Sequence, residues 1–332
     1  MAKELLADKA SRGRRVLGTR GIVAALVVVA GSLTFAVVAA KTTKLSIRES
    51  AMGTDPAFNV KWIHGAADCS KSTDPPLQVY QFDSDTYILR ESKCLDFEGP
   101  FIYLLIGRNK AFLVDSGAEP HKGQTLPIRE TVQGILSQWE QSHHRKSLEL
   151  VIAHSHGHTD HTYGDSQFEG QPNTVVVKPD VESVKAFFKL DKWPEGSATV
   201  DLGGRVLTVI PAPGHQPAHI AIYDSKTNIL LTGDSLYPGL LTVRDWQQYY
   251  ASVNRLAAFA GSHRISYILG AHIEMTSKPA EMYPMGTTFQ PEEHVLQMHV
   301  SDLIDLQRAC EAMKDNPVKD VHDNFIILPL KH

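Results

Sequence analysis

The stretch His154-Ser155-His156-Gly157-His158-Thr159-Asp160-His161 holds four of the chain's sixteen histidines in eight residues. It follows a largely apolar run, 148–153, that reads as a buried strand, so the histidines fall on a loop at a sheet edge, where reactive groups gather. Within it, His156, His158, Asp160 and His161 form the pattern HxHxDH. Two imidazoles one residue apart on an extended loop point the same way and grip one cation. The adjacent Asp-His pair serves a second cation beside it. Imidazole with carboxylate suits zinc, manganese or iron. A lone histidine is more often packed or solvated, but this density has no ordinary structural account.

One loop cannot complete two coordination shells, and further donors lie downstream. His215 follows the β-like run 205–210, Asp234 follows 229–232 and His272 follows 265–269. Each time the order is strand, glycine, then a metal-type donor. Upstream, the runs 77–82, 86–90, 101–106 and 111–114 predict a meander ending at Asp115-Ser116-Gly117. Strands are also expected at 174–177 and 220–223. Helices are expected from Pro127 to Ser142, with Ile128, Val132, Ile135, Leu136 and Trp139 on one face, and over 179–188, 245–260 and 291–313. Interleaved strands and helices predict an α/β sandwich with helices on both outer faces.

In this order the motifs resemble those of the metallo-β-lactamase-fold hydrolases: Asp115, HxHxDH at 156–161, His215, Asp234 and His272. The resemblance implies an αββα sandwich with a dinuclear site at one edge of its two sheets, and two divalent metal ions, zinc foremost. By that carry-over His156, His158 and His215 hold one metal, Asp160, His161 and His272 the other, and Asp234 bridges. Asp115 would orient the ligand loops from behind or merely cap a turn. His154 and His219 are left over and read as structural. Tyr237, just past Asp234, is a candidate substrate contact, although a packed tyrosine is the plainer reading. His294 and His299 would sit on the solvated face of the last helix. The segment 283–289 reads equally as a substrate-facing loop or a surface cover, and Ile273 stands where the family often has glycine.

The expected chemistry is hydrolysis. Two cations lower the pKa of a shared water, and the resulting metal-bound hydroxide attacks, with Asp160 orienting it and passing a proton to the leaving group. No GxSxG nucleophile motif competes with this. Thioesterases of the glyoxalase II type, lactonases and phosphodiesterases of this family keep the bridging Asp, so the resemblance favours an ester, lactone or thioester substrate. Glyoxalase II itself is disfavoured, because the tail after His272 is short for its helical glutathione-binding domain and an exported enzyme meets little glutathione. β-Lactam hydrolysis and an iron-dependent, sulfur-dioxygenase-like redox activity are the alternatives, and a metal-bearing binding protein without chemistry is a third.

Composition places these motifs in a compartment. Residues 1–40 carry six Lys/Arg against two acids, and the remaining 292 residues hold 27 bases against 35 acids, a net −8. An acidic body argues against nucleic acid as a partner and for a small molecule. Residues 21–40 are uncharged and apolar, long enough to cross a bilayer, and the bases before them set the N-terminus inside. An exported protein results, anchored in the membrane or released after cleavage, with Arg14-Arg15 hinting weakly at twin-arginine export. The layout expected is a signal or anchor segment (1–40), an irregular lead-in (41–76) and one hydrolase domain (77–332). Cys69 and Cys94 are either a disulfide or two unrelated small hydrophobes, and Cys310 falls in the last helix.

Overall fold

The computed structural model describes residue 58 and residues 60–330. Two six-stranded sheets make its centre. The first runs in spatial order through β1 (Leu77–Asp83), β2 (Thr86–Glu91), β3 (Phe101–Ile106), β4 (Lys110–Val114), β5 (Glu149–Ala153) and β6 (Thr174–Val176). The second takes the order β13-β12-β10-β9-β8-β7, from β7 (Ala198–Asp201), β8 (Val206–Pro211), β9 (Ile220–Asp224), β10 (Ile229–Gly233), β12 (Tyr267–Gly270) and β13 (Gln297–Met298). A small third sheet joins β11 (Leu240–Val243), β15 (Ile326–Pro329) and β14 (Asp320–Val321).

Alternation along the strands sorts side chains between faces. Phe101, Tyr103, Phe112, Val114 and Val151 from the first sheet share one core with Leu207, Val209, Ile222, Leu231 and Leu269 from the second. Residues of opposite parity, Ile102, Leu104, Leu113, Leu150 and Ile152, pack under α1 (Ile128–Ser142). The far face of the second sheet is covered by α5 (Trp246–Ser262) and α6 (Val300–Ala312), with α2 (Thr159–Thr162), α3 (Asp165–Phe168) and α4 (Val181–Phe188) between strands. This is the expected αββα sandwich. All five residues of the expected α1 face are buried.

The last helix departs from the expectation. It begins at Val300, not Pro291, because Glu293 is held by Arg90 and residues 297–298 pair with β12 as β13. His299 caps the helix, its N–H donating to Asp302 Oδ2 at 2.7 Å, and His294 lies in the loop before it. Neither stands on a helix face as expected. Residues 60–76, read as irregular, carry only the short 3-10 turn Cys69–Lys71 yet pack onto the body. Trp62 meets Tyr80 and Phe101 edge-on, and a disulfide joins Cys69 to Cys94. Cys310 is a buried free thiol. Among the described residues no helix is long and apolar enough to cross a membrane. The apolar run 21–40 lies outside them.

One buried cation ties the sheets together opposite the histidines. Arg205, before β8, bonds both Asp224 oxygens (3.0 and 2.7 Å) and reaches the first sheet at the Asp85 and Ile106 carbonyls and the Thr86 hydroxyl. Removing it leaves Asp224 buried and unpaired, a situation that costs about 3–5 kcal/mol. Arg205→Met should therefore lower unfolding free energy by that amount in a urea titration, with metal content of the folded protein unchanged.

Candidate metal centre

Four strand ends deliver the donors. β5 leads into His156 and His158, and His158 opens the short helix α2 that carries Asp160 and His161. β8 leads to His215, β10 ends one residue before Asp234, and β12 ends two before His272. Close packing explains the glycines. Gly233 has φ +49°, and a Cβ there would lie 2.5 Å from that of Ser155; at Gly214 a Cβ would strike the Tyr249 backbone at 2.4 Å.

All seven expected donors come together, in two groups that share Asp234: His156, His158, His215 with Asp234, and Asp160, His161, His272 with Asp234. Within each group the donor atoms lie within 4.8 Å of one another. In the first, His156 Nε2 and His215 Nε2 stand 2.8 and 3.0 Å from His158 Nδ1. In the second, Asp160 Oδ2 is 3.0 Å from His161 Nε2 and 3.3 Å from His272 Nε2. Asp234 turns Oδ2 to the first group (3.5 Å from His215, 3.8 Å from His156) and Oδ1 to the second (3.4 Å from His272, 3.6 Å from His161).

The donor set fits a pair of cations. Three imidazole nitrogens converging on one point offer lone pairs and too few protons to bond each other. His158 Nε2 and Asp234 Oδ1 are buried without a hydrogen-bond partner. Burial, then the neighbouring imidazoles, pushes His156 well below the usual histidine range, and the same causes bring His158 to about 4, so both present free lone pairs at neutral pH. In the second group burial opposes charge, but Asp160, Asp115 and Asp234 hold His161 well above its usual value. Asp234 and Asp160 likewise lift His272 to about 9. Carboxylates that favour a proton there favour a metal ion more.

For every ring but that of His158, the far nitrogen has a partner that fixes its direction. His161 Nδ1 meets Asp115 Oδ2 at 2.9 Å, His215 Nδ1 the Thr242 carbonyl at 2.8 Å and His272 Nδ1 the Glu98 carbonyl at 3.3 Å. His156 Nδ1 stands 3.1 Å from Ser155 Oγ. Asp115 itself lies away from both groups. It accepts from the Ser155 N–H (2.7 Å) and hydroxyl (3.0 Å) and adopts φ +69°, so it ties the histidine loop from behind.

His154 and His219 also fall outside both groups. His154 bonds Asp165 and the Val177 carbonyl. His219 is closer to the centre than a filler would be: it accepts the Asp234 N–H at 3.2 Å and stacks on His156. Tyr237 is buried; its hydroxyl donates to the Leu240 carbonyl at 2.8 Å beside Glu274, and its ring packs on His272. The hydroxyl expected to reach a substrate is thus spent within the protein. Sequence reasoning passed over Ser155, which stands inside the motif, and the carbonyls of Thr242 and Glu98, for which residue type gives no signal.

A model of the metallo-beta-lactamase superfamily matches residues 95–272. The chain belongs to that superfamily. A hydroxyacylglutathione hydrolase of Dechloromonas aromatica (strain RCB) is 27% identical over 246 residues, covering 70% of this chain and 81% of that one. Another, of Ectopseudomonas mendocina (strain ymp), is 30% identical over 130 residues, 38% of this chain and about half (49%) of the relative's length. Among solved structures, a metallo-beta-lactamase from Pontibacter korlensis aligns over 71% of this chain and 99% of its own at 17% identity, with a TM-score of 0.45.

Losing an outer partner of a ligand costs about 10- to 100-fold in metal affinity. Asp115→Asn replaces a carboxylate that accepts three bonds with an amide that cannot accept them all. Competition against a chromophoric chelator should show metal affinity falling by that factor, while circular dichroism stays that of the parent.

Proposed function

We propose that this protein is a dinuclear metallo-hydrolase, zinc-dependent, that cleaves an ester, lactone or thioester bond. The observation that carries the reading is Asp234, whose two oxygens face different ligand groups and which therefore joins them into one centre. Support also comes from the hydroxyacylglutathione hydrolases among its relatives, whose name describes a thioester substrate.

His156, His158 and His215 would hold one cation, Asp160, His161 and His272 the other, and Asp234 both. Divalent cations bound there supply an acidified water and polarise a carbonyl. The remaining work is done by the chain. Asp160 has 20% of its side chain exposed against 9% for Asp234, so it is the carboxylate of the set that meets incoming substrate. Burial would raise its carboxyl, but the His161 and His272 rings outweigh that and hold it ionised. As the exposed carboxylate of the set it would pass a proton to the leaving group.

Residues 21–40 and the disulfide support a location outside the cytoplasm. An apolar segment behind a basic start sends the body out of the cytoplasm, and a Cys69–Cys94 bond belongs to an oxidising compartment. We therefore place the enzyme outside the cytoplasm, anchored through, or released from, that segment.

Measurements of metal content, turnover and location test this. Elemental analysis of the purified protein should give two zinc ions per chain, and stripping them should abolish turnover until zinc is restored; one iron with negligible zinc would move the protein to redox chemistry. On a panel of aryl esters, lactones, thioesters and a chromogenic cephalosporin, Asp160→Asn should lose about 10²- to 10⁴-fold in kcat. Parental rates in that variant would refute the role given to Asp160, and turnover of the cephalosporin alone would refute the substrate class. For location, the full-length chain should fractionate with membranes or appear outside the cytoplasm, and protease added to intact spheroplasts should digest any anchored body.

A further inference from the structure

Lys93 is 1% exposed, among the largest fully buried side chains of the described residues. Burying an ammonium costs several kcal/mol unless strong partners replace its water. Here the partners are two main-chain carbonyls of one turn: Nζ donates to Phe97 O at 3.0 Å and Glu98 O at 3.3 Å. The stem runs between two glycines in left-handed conformation. A Cβ on Gly99 (φ +50°) would come within 2.7 Å of Lys93 Cγ, and one on Gly65 (φ +74°) within 3.0 Å of Lys93 Cβ. The turn itself is closed by Asp96, which accepts from Glu98 N (2.9 Å) and Gly99 N (3.1 Å), and the next residue, Cys94, is bonded to Cys69. So elaborate a seat for a lysine serves something beyond packing.

What the turn presents is the Glu98 carbonyl, and that oxygen also receives the Nδ1–H of His272. We propose that Lys93 is a positioning residue for the second metal-ligand group: it fixes the Glu98 carbonyl that orients His272, so that His272 Nε2 faces Asp160 and Asp234. His161 is oriented by a carboxylate and His215 by a carbonyl near the end of a strand, both firmly placed. His272 relies on a turn, and the lysine supplies the stiffness that a turn lacks. Lys93 stands just past β2, outside the residues matched by the superfamily, 95–272.

The inference rests on the dinuclear reading, and the experiment separates the two. Zinc is titrated into metal-free full-length protein against a chromophoric chelator, with cobalt spectra as a second readout. The parent should bind two ions. Lys93→Met, which keeps the stem and removes the ammonium, should bind one ion at parental affinity and the other about 10- to 100-fold more weakly. Lys93→Gln, which keeps a donor, should lose less. Two ions bound as tightly as in the parent would overturn the proposal, and so would equal weakening of both, which marks a merely structural lysine. If Lys93→Met does not fold, the same criteria apply to Lys93→Gln. A parent that binds fewer than two ions refutes the dinuclear reading and this inference with it, whereas two in the parent leaves only Lys93 at stake.

Discussion

Three hydrogen bonds converge on the carboxylate of Asp115, and the geometry of the centre hangs on them. Two come from Ser155, through its amide and its hydroxyl, and one from His161. They clamp the beginning and the end of the histidine loop onto the end of β4, across the parallel β4–β5 pair. A loop of this length would otherwise sample many conformations, each ordered residue costing about 1–2 kcal/mol of backbone entropy. The clamp supplies order where close packing cannot, since the rings it positions must keep one edge free for a ligand. The left-handed backbone of Asp115 turns the carboxylate toward Ser155, and a non-glycine residue accepts that conformation only when its surroundings enforce it.

The rest of the centre follows the same division. Rigid strands carry donors to within reach of each other, and a hydrogen bond on the far side of every ring but that of His158 sets its aim. Asp234 is the joint. It comes one residue after a glycine packed against Ser155, and its own amide is held by His219, so its backbone is fixed between the two groups.

Legibility in the sequence tracks how local the determining physics is. The donors were readable because four imidazoles crowd into eight residues, and because His215, Asp234 and His272 each follow a β-like run and a glycine. The sandwich followed from period-2 and period-3.6 patterns long enough to repeat. Strands β7, β11, β14 and β15, of two to four residues, were missed because nothing repeats over that length. The start of α6 misled for a better reason: Pro291-Glu292-Glu293 has the proline and acids of a helix N-terminus. A distant contact, Arg90 on Glu293, takes that segment for other use. The carbonyls of Thr242 and Glu98 were illegible in principle, since every residue has one. Lys93 looks like any surface lysine until two glycines far apart in sequence are seen to flank it.

The donors leave the ends of β5, β8, β10 and β12, whereas the groups beside them, such as Tyr237 and the turn 96–99, belong to connecting segments. Strand ends are fixed by the sheets; connections are free to vary in length and composition. A lineage descended from this chain can therefore trade one substrate for another by rewriting loops while the bond-breaking apparatus stays intact. Across such descendants, chemistry would be inherited and appetite would drift.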